Sequence, residues 1–98
     1  MTAVLSLWKG EIRLPPPRVL IADIAASVAN RHWVSEADLT GADRSREVAR
    51  ARQECYALAI AAGRSTPAIG RYFNRDHSTV IYGARAYRAR LTKAEQRA

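Results

Sequence analysis

From residue 18 onward, apolar positions recur three or four residues apart, which is the spacing of an α-helix. The first run lies within residues 18–31 and places its apolar side chains on one face, at Leu20, Ile24, Val28 and Ala29. Sustained alternation of apolar and polar residues, which is typical of a half-buried strand, occurs in no segment. The pattern therefore predicts an all-helical chain without a sheet.

Capping residues mark the next two helices. A single short turn, Ser35–Leu39, begins at a serine N-cap and is closed by Gly41. Ser45 is the predicted N-cap of a longer helix over residues 46–62, and Gly63 is the residue type that commonly follows a helix end. The predicted buried side of this longer helix consists of Val48, Ala51, Cys55, Leu58, Ala59 and Ala62.

A short helix, a tight turn and a second helix follow, and together they form a helix-turn-helix. Thr66 is the predicted N-cap of the short helix, Pro67 occupies its first helical position, and the helix stops near Phe73. Asn74-Arg75 forms the turn, and Asp76 is the predicted cap of the last helix. That helix is predicted to end at about Leu91. Its core-facing residues are Val80, Ala84, Tyr87 and Leu91.

The chain is predicted to form one small domain. Residues 1–17 are interpreted as an N-terminal arm, because its closing prolines, Pro15–Pro17, favour an extended conformation. Residues 18–91 form the helical domain, and residues 92–98 form a polar tail that frays. Within the domain, we expect Gly70 to permit the close approach of the two helix-turn-helix helices.

The net charge of +7 is confined to the second part of the sequence. Residues 1–40 carry four basic and four acidic side chains, whereas residues 41–98 carry twelve basic and five acidic ones. An excess of positive charge in one segment is typical of a surface that binds a polyanion. This segment contains the helix-turn-helix, so the charge favours nucleic acid as the partner.

The beginning of the second helix carries a run of polar side chains that could contact DNA. Its sequence Arg75–Thr79 consists of five consecutive polar residues, and in such motifs this end of the helix enters the major groove. The stretch Ile69–Val80 closely resembles the signature of the bacterial replication initiator DnaA, a helix-turn-helix similar to that of the Trp repressor. Upstream, Arg44–Gln53 resembles the family's basic loop and the helix that follows it, and Ser65–Ala68 resembles the family's lead-in to the motif. The resemblance covers roughly residues 18–91.

The resemblance implies an interface with double-stranded DNA, possible sites being duplexes like the DnaA box, in which different residues contact bases and phosphates. Arg44 would enter the minor groove, Asp76, His77 and Ser78 would face bases, and Pro67 and Ala68 would lie near thymine methyl groups. Phosphates would be held by Arg52, Gln53, His77 and Thr79. The complete predicted interface is Arg44, Arg46, Arg52, Gln53, Thr66, Pro67, Ala68, Arg75, Asp76, His77, Ser78 and Thr79.

The sequence departs from the family pattern at four points. Asn74 alone separates the phenylalanine from the arginine of the signature, where the family usually has two residues; asparagine tolerates the left-handed backbone of such a tighter turn. The turn at Gly63-Arg64 is one residue shorter, and Ile60 replaces a lysine that contacts phosphate in the family. The phosphate loop of the DnaA ATPase is absent from the sequence.

The residues argue against catalysis and against a bound metal or other cofactor. Asp76, His77 and Ser78 are adjacent on a helix, so their side chains diverge and form no triad. Two histidines and the single cysteine, Cys55, lie too far apart for a metal site. The lone cysteine is expected to pack as a small hydrophobe in a cytoplasmic, nucleoid-associated protein without a membrane segment.

The predicted function is sequence-specific binding of double-stranded DNA without ATPase activity. Site occupancy would regulate replication initiation or transcription, and the chain would compete with the host initiator. One alternative is a dimeric transcriptional regulator of the Trp-repressor type. Another is a protein-interaction module that uses Trp8 and the helix of residues 18–31. Trp33, which follows that helix, is interpreted as a lid on the core.

Overall fold

The computed structural model describes residues 3–7, 10–14 and 20–97. From residue 20 onward the described chain is helical, which confirms the predicted all-helical class for this domain. Helix α3 packs against α1 and α5, and α4 packs against α5. The helices are α1 (Ile21–His32), α2 (Glu36–Thr40), α3 (Arg46–Ala61), α4 (Thr66–Phe73) and α5 (His77–Arg97).

The prediction of a chain without a sheet is wrong for the N-terminal segment. Strands β1 (Ala3–Leu7) and β2 (Gly10–Leu14) pair antiparallel, from Ala3 opposite Leu14 to Leu7 opposite Gly10. β1 (AVLSL) shows no strict alternation and β2 (GEIRL) alternates over only four residues, so neither gives a sustained signal. Trp8 and Pro15–Pro17 lie outside the described residues. The predicted boundary between arm and domain, at residues 17 and 18, also lies outside the described residues and stays a prediction.

The serine and glycine signals define the helix ends as predicted. The Ser35 side chain accepts from the Asp38 backbone N–H, and the Asp38 side chain accepts from the Ser35 backbone N–H, which forms a complete capping box. Ser45 accepts from the Val48 N–H at 3.4 Å. Gly63 has a left-handed φ of 86° just after α3, a conformation that suits glycine.

The cap of α4 is Ser65, not Thr66 as predicted. The Ser65 hydroxyl accepts from the Ala68 N–H at 3.3 Å, so Thr66 becomes the first helical residue and Pro67 the second. Proline fits there because the N–H groups of the first turn have no partner within the helix.

This correction gives the first testable prediction. Ser65→Ala should lower the free energy of unfolding by about 1 kcal/mol, because it removes the acceptor of an otherwise unpaired N–H group. The matched control Thr66→Ala removes a hydroxyl from the next residue and should cost less than about 0.5 kcal/mol. Urea denaturation of both variants measures the difference, and equal losses would contradict the assignment.

The last helix is longer than predicted. It continues past Leu91 to Arg97, because residues 92–97 contain no glycine or proline to end it. Leu91 is therefore on a solvated part of the helix, 46% exposed, and is not a core residue. Asp76 precedes the helix, but within the described chain its carboxylate accepts from no backbone N–H, so the predicted side-chain cap is absent.

The core is built around Phe73, which contacts the rings of Tyr56 and Tyr72 edge to face at centroid distances of 5.4 and 4.9 Å. Cys55 is fully buried, as predicted, and burial raises the pKa of its thiol to about 12. The other buried apolar residues are Ile21, Ile24, Ala25, Val28, Ala29, Leu39, Val48, Ala51, Ala57, Ala59, Ile69, Val80 and Ala84.

Several predicted core positions are wrong. Leu20 precedes α1 and is exposed, and Ala62 lies in the turn after α3 and is also exposed. Trp33 is 96% exposed and is not a lid, because its left-handed backbone (φ 59°) ends α1 and its side chain lies in solvent. Leu58 and Tyr87 are only partly buried against the core.

A buried carboxylate joins α1 to α3. Glu54 is 6% exposed, and its two oxygens contact Arg31 and His32 at the end of α1. The histidine Nε2 lies 2.7 Å from the carboxylate. This contact fixes α3, which carries Gln53 and Arg52, against the rest of the domain.

Candidate nucleic-acid interface

The turn of the helix-turn-helix is closed by direct backbone contact. The Arg75 N–H donates to the Gly70 carbonyl at 2.8 Å, and Asn74 between the helices has a left-handed backbone (φ 55°). A Cβ atom on Gly70 would lie 2.5 Å from the Arg75 carbonyl oxygen. The expectations that Gly70 permits close approach and that Asn74 forms a shortened turn are confirmed.

The first turn of α5 presents polar side chains to solvent. Asp76, His77 and Thr79 are exposed, Ser78 is half-buried, and the core begins at Val80. The His77 Nδ1 atom lies 3.3 Å from the Asp76 carboxylate. Because the Asp76 carboxylate caps no backbone group of the described chain, its acceptor atoms are available for a base edge.

Three of the five residues predicted to contact bases line a groove between α4 and α5. This groove, of about 480 Å³, brings Pro67 together with Asp76 and His77. Thr66 and Ala68 flank Pro67 on the first turn of α4 and are half-buried. The groove therefore brings one predicted apolar contact from α4 beside two predicted polar contacts from α5.

A second groove of about 480 Å³ lies between α3 and α5 and unites three of the four predicted phosphate contacts. Arg52, Gln53 and Thr79 line it, whereas His77 lines only the first groove. The side-chain oxygen of Gln53 (Oε1) accepts from Nη1 of Arg90 at 2.6 Å, so the N–H groups of its side-chain amide remain as donors. Tyr82, 67% exposed, also lines this groove and was not predicted.

Most of the Arg52 guanidinium, which the resemblance assigns to a phosphate contact, is bonded within the protein. The residue is 6% exposed, and its Nε atom donates to the Leu39 carbonyl while Nη2 donates to the carbonyls of Asp38 and Gly41, all at 2.8 Å. Burial lowers its pKa, and the nearby Arg75 guanidinium lowers it further. Within the described chain only Nη1 of the guanidinium makes no hydrogen bond, and it is the atom left for a phosphate.

Arg75 was predicted to contact DNA, but its guanidinium is hydrogen-bonded to the protein. Its Nη1 atom donates to the carbonyls of Phe73 and Asn74, each at 3.1 Å, and its Nη2 atom donates to the Gly41 carbonyl at 2.6 Å. The side chain is half-buried. These bonds turn the guanidinium back onto the protein and give Arg75 a structural role that sequence reasoning missed.

The basic loop before α3 supplies two free cations. Arg44 and Arg46 are exposed and make no hydrogen bond or ion pair within the described residues. Asp43 in the same loop accepts from the Ser45 N–H at 2.7 Å, and this bond is the main cause that lowers the pKa of its carboxyl. The loop is thus ordered by its own acidic residue while its arginines remain in solvent.

Two other kinds of site have no support in the described residues. No group of three or more histidine, cysteine, aspartate or glutamate side chains in residues 20–96 is placed to hold a metal ion. None of the described helices is long and apolar enough to cross a membrane.

The sequence matches the family model for the helix-turn-helix of the bacterial DnaA protein over residues 21–86. The chromosomal replication initiator protein DnaA of Nitrobacter hamburgensis is 41% identical over 80 residues, 80% of this chain and 17% of the relative. DnaA of Caulobacter vibrioides is 38% identical over 88 residues, 88% of this chain and 18% of the relative. The matched part thus spans less than a fifth of the length of these relatives.

Proposed function

This chain belongs to the helix-turn-helix family of the bacterial DnaA protein, and from that premise we propose that it occupies specific sites on double-stranded DNA and regulates replication initiation or transcription by that occupancy. Family membership makes it a DNA-binding domain related to a replication initiator. The proposal goes further in three respects: that binding is specific, which residues contact the DNA, and that binding regulates replication or transcription.

The observation that carries the proposal is the groove shared by α4 and α5. Asp76 and His77 stand exposed at the N-terminal end of α5 beside Pro67. In a helix-turn-helix this end enters the major groove, where a carboxylate accepts from cytosine N4 and an apolar side chain contacts a thymine methyl group. Ser78, Thr66 and Ala68 complete this base-reading surface.

Contacts to the DNA backbone come from the sides of the same surface. Gln53 and Thr79 donate to phosphate from the groove between α3 and α5, with Nη1 of Arg52 beneath them. Arg44 and Arg46 extend from the basic loop, and an arginine inserted into a narrow, A·T-rich minor groove is attracted by its negative potential. DnaA-box-like duplexes fit this set of contacts.

The proposed mechanism is occupancy in the cytoplasm, on the nucleoid, without catalysis. The sequence contains no phosphate loop of the form Gly-x-x-x-x-Gly-Lys-Ser/Thr, so duplex affinity should be equal with and without ATP. A protein that covers a site excludes others from overlapping sites. We therefore propose that the chain competes with the host initiator.

The role of Asp76 tests the proposed reading surface. Asp76→Ala should weaken binding to the preferred duplex by about 1–3 kcal/mol and relax base preference at one position, because it removes the acceptor that faces a base. Titration against duplexes that differ at single positions measures both effects. Unchanged preference would contradict the assignment.

Thermal unfolding of the same variant separates readout from folding. The Asp76 carboxylate caps no backbone N–H of the described chain, so its loss should change stability by less than about 0.5 kcal/mol. The matched control is Asp23→Ala, which removes an exposed carboxylate from the first turn of α1 and should leave base preference intact.

Footprinting with the host initiator tests the occupancy mechanism. As this chain is titrated in, protection by the initiator at shared sites should fall, with or without ATP. Mutually reinforced occupancy of one cluster of sites would overturn competition and indicate a helper in initiation. A separate measurement of the mass of the DNA complex in solution distinguishes a monomer on one site from a dimeric regulator.

A further inference from the structure

We propose that Arg75 is a positioning residue that fixes the basic loop, residues 41–46, against the start of α5, so that contacts in the minor and major grooves are made by one rigid unit. This inference rests on the proposed DNA-binding surface. It concerns how the basic loop and the start of α5, which contact different grooves of the DNA, keep a fixed spacing.

The Gly41 carbonyl is the point where the elements meet. It accepts from Nη2 of Arg75 at 2.6 Å and from Nη2 of Arg52 at 2.8 Å. Arg52 belongs to α3, Arg75 to the turn before α5, and Gly41 to the start of the loop after α2. One carbonyl oxygen thus joins three parts of the chain that are distant in sequence.

The other donors of the two guanidiniums anchor each side of this junction. Nη1 of Arg75 donates to the carbonyls of Phe73 and Asn74, which hold the guanidinium on the helix-turn-helix turn. Arg52 donates to the carbonyls of Leu39 and Asp38 and thereby holds the end of α2. Because a guanidinium is planar and rigid, its paired bonds fix direction as well as distance.

The reading residues are only a short length of chain from the junction. Arg44 is the third residue after Gly41, a span of at most about 11 Å of extended chain. Asp76 directly follows Arg75. A movement at the junction therefore changes the spacing between Arg44 and Asp76.

Direct phosphate binding by Arg75 is the competing explanation. It would have to use Nε and the second N–H of Nη2, because both N–H groups of Nη1 and one of Nη2 already donate to three carbonyl oxygens, among them a half-buried contact at Gly41. A buried or half-buried carbonyl left without a donor is destabilising. The existing bonds therefore favour positioning over contact.

A double-mutant cycle between Arg75 and Arg44 tests the proposal. Arg75→Lys keeps the positive charge but removes the fork that holds several carbonyls. Arg44→Ala should weaken binding to the selected duplex about tenfold or more in the wild-type background. In the Arg75→Lys background the same change should cost less than about threefold, because the loop is no longer held in register.

The matched control is Arg85→Lys on α5, the same substitution at an exposed arginine whose side chain makes no hydrogen bond in the described chain. In that background the penalty for Arg44→Ala should equal the wild-type penalty. An undiminished penalty with Arg75→Lys would overturn the positioning role and leave the proposed function intact. A wild-type chain without preference for any duplex would instead overturn the proposed function.

A measurement on the wild-type protein covers the case in which Arg75→Lys does not fold. Nitrogen-15 NMR of the Arg75 guanidinium should show hindered rotation in the free protein and nearly the same signals in the DNA complex. Free rotation before binding, or a large shift on adding duplex, would indicate a direct phosphate contact and overturn the proposal.

Discussion

Arg52→Leu is expected to lower the free energy of unfolding by about 3 kcal/mol or more, because hydrogen bonds to a charged donor are worth roughly 1.5–3 kcal/mol each and buried carbonyls lose their partner. At the end of α2, the carbonyls of Asp38 and Leu39 lose this donor, whereas the Gly41 carbonyl keeps its bond from Arg75. Leucine has no donor with which to replace the guanidinium. The end of α2 and the loop that follows it should therefore loosen together.

Urea denaturation measures this loss, and Arg50→Leu is its matched control. Arg50 lies on the same helix, is exposed and makes no hydrogen bond in the described chain, so its replacement should change stability by less than about 0.5 kcal/mol. One result for Arg52→Leu would contradict this structural role and favour the phosphate contact that the family resemblance implies. If Arg52→Leu left stability unchanged and weakened binding to all duplexes equally, Arg52 would be a phosphate contact.

Gly70→Ala is expected to destabilise the domain by about 3 kcal/mol, the upper end of the usual cost of forcing extra atoms into a packed site. The added methyl group would lie 2.5 Å from the Arg75 carbonyl oxygen, which belongs to the backbone and has no rotamer to escape into. Relief requires α4 and α5 to move apart. That movement would break the 2.8 Å bond from the Arg75 N–H to the Gly70 carbonyl.

Gly63→Ala separates this steric effect from general backbone strain. Gly63 has a left-handed φ of 86° but open space around its missing Cβ, so alanine should cost only about 1–2 kcal/mol there. Thermal unfolding and duplex affinity should both be measured. We expect Gly70→Ala to lose DNA binding even below its melting temperature, whereas Gly63→Ala retains it; equal affinities would contradict the role of the turn.

Local signals in the sequence were sufficient for most of the helical architecture. Ser35, Ser45 and Gly63 specify their helix ends through hydrogen bonds and backbone conformations that involve only neighbouring residues. Gly70 and Asn74 were identified for the same reason, since each serves the turn in which it lies. The family resemblance, which the match over residues 21–86 confirms, also depends on a contiguous stretch.

Contacts between distant residues could not be predicted in this way. The partners of Arg52 lie 11 to 14 residues away, and Gly41 lies 34 residues from Arg75. Glu54, too, is buried only because α1 brings Arg31 and His32 to it. A charged side chain within a basic helix is normally solvated, so only the tertiary packing reveals that these residues are structural.

Surface positions failed for a related reason. Trp33 and Leu91 are apolar, but no element in the described part of the chain covers either of them, and both remain exposed. Apolar character predicts burial only when a neighbouring element is available to cover the side chain. The capping of α4 by Ser65 instead of Thr66 shows the limit of local signals, since two adjacent hydroxyl residues compete for one role.

Selection from a random pool of duplexes, followed by a salt series on the enriched duplex, tests most directly whether this surface reads DNA. The account predicts one recurring site, bound far more tightly than a scrambled duplex. It also predicts an affinity that falls with salt at a log–log slope of roughly −0.9 for each phosphate neutralised. Enrichment of no common site, or an affinity that is equal for all duplexes and indifferent to salt, would contradict it.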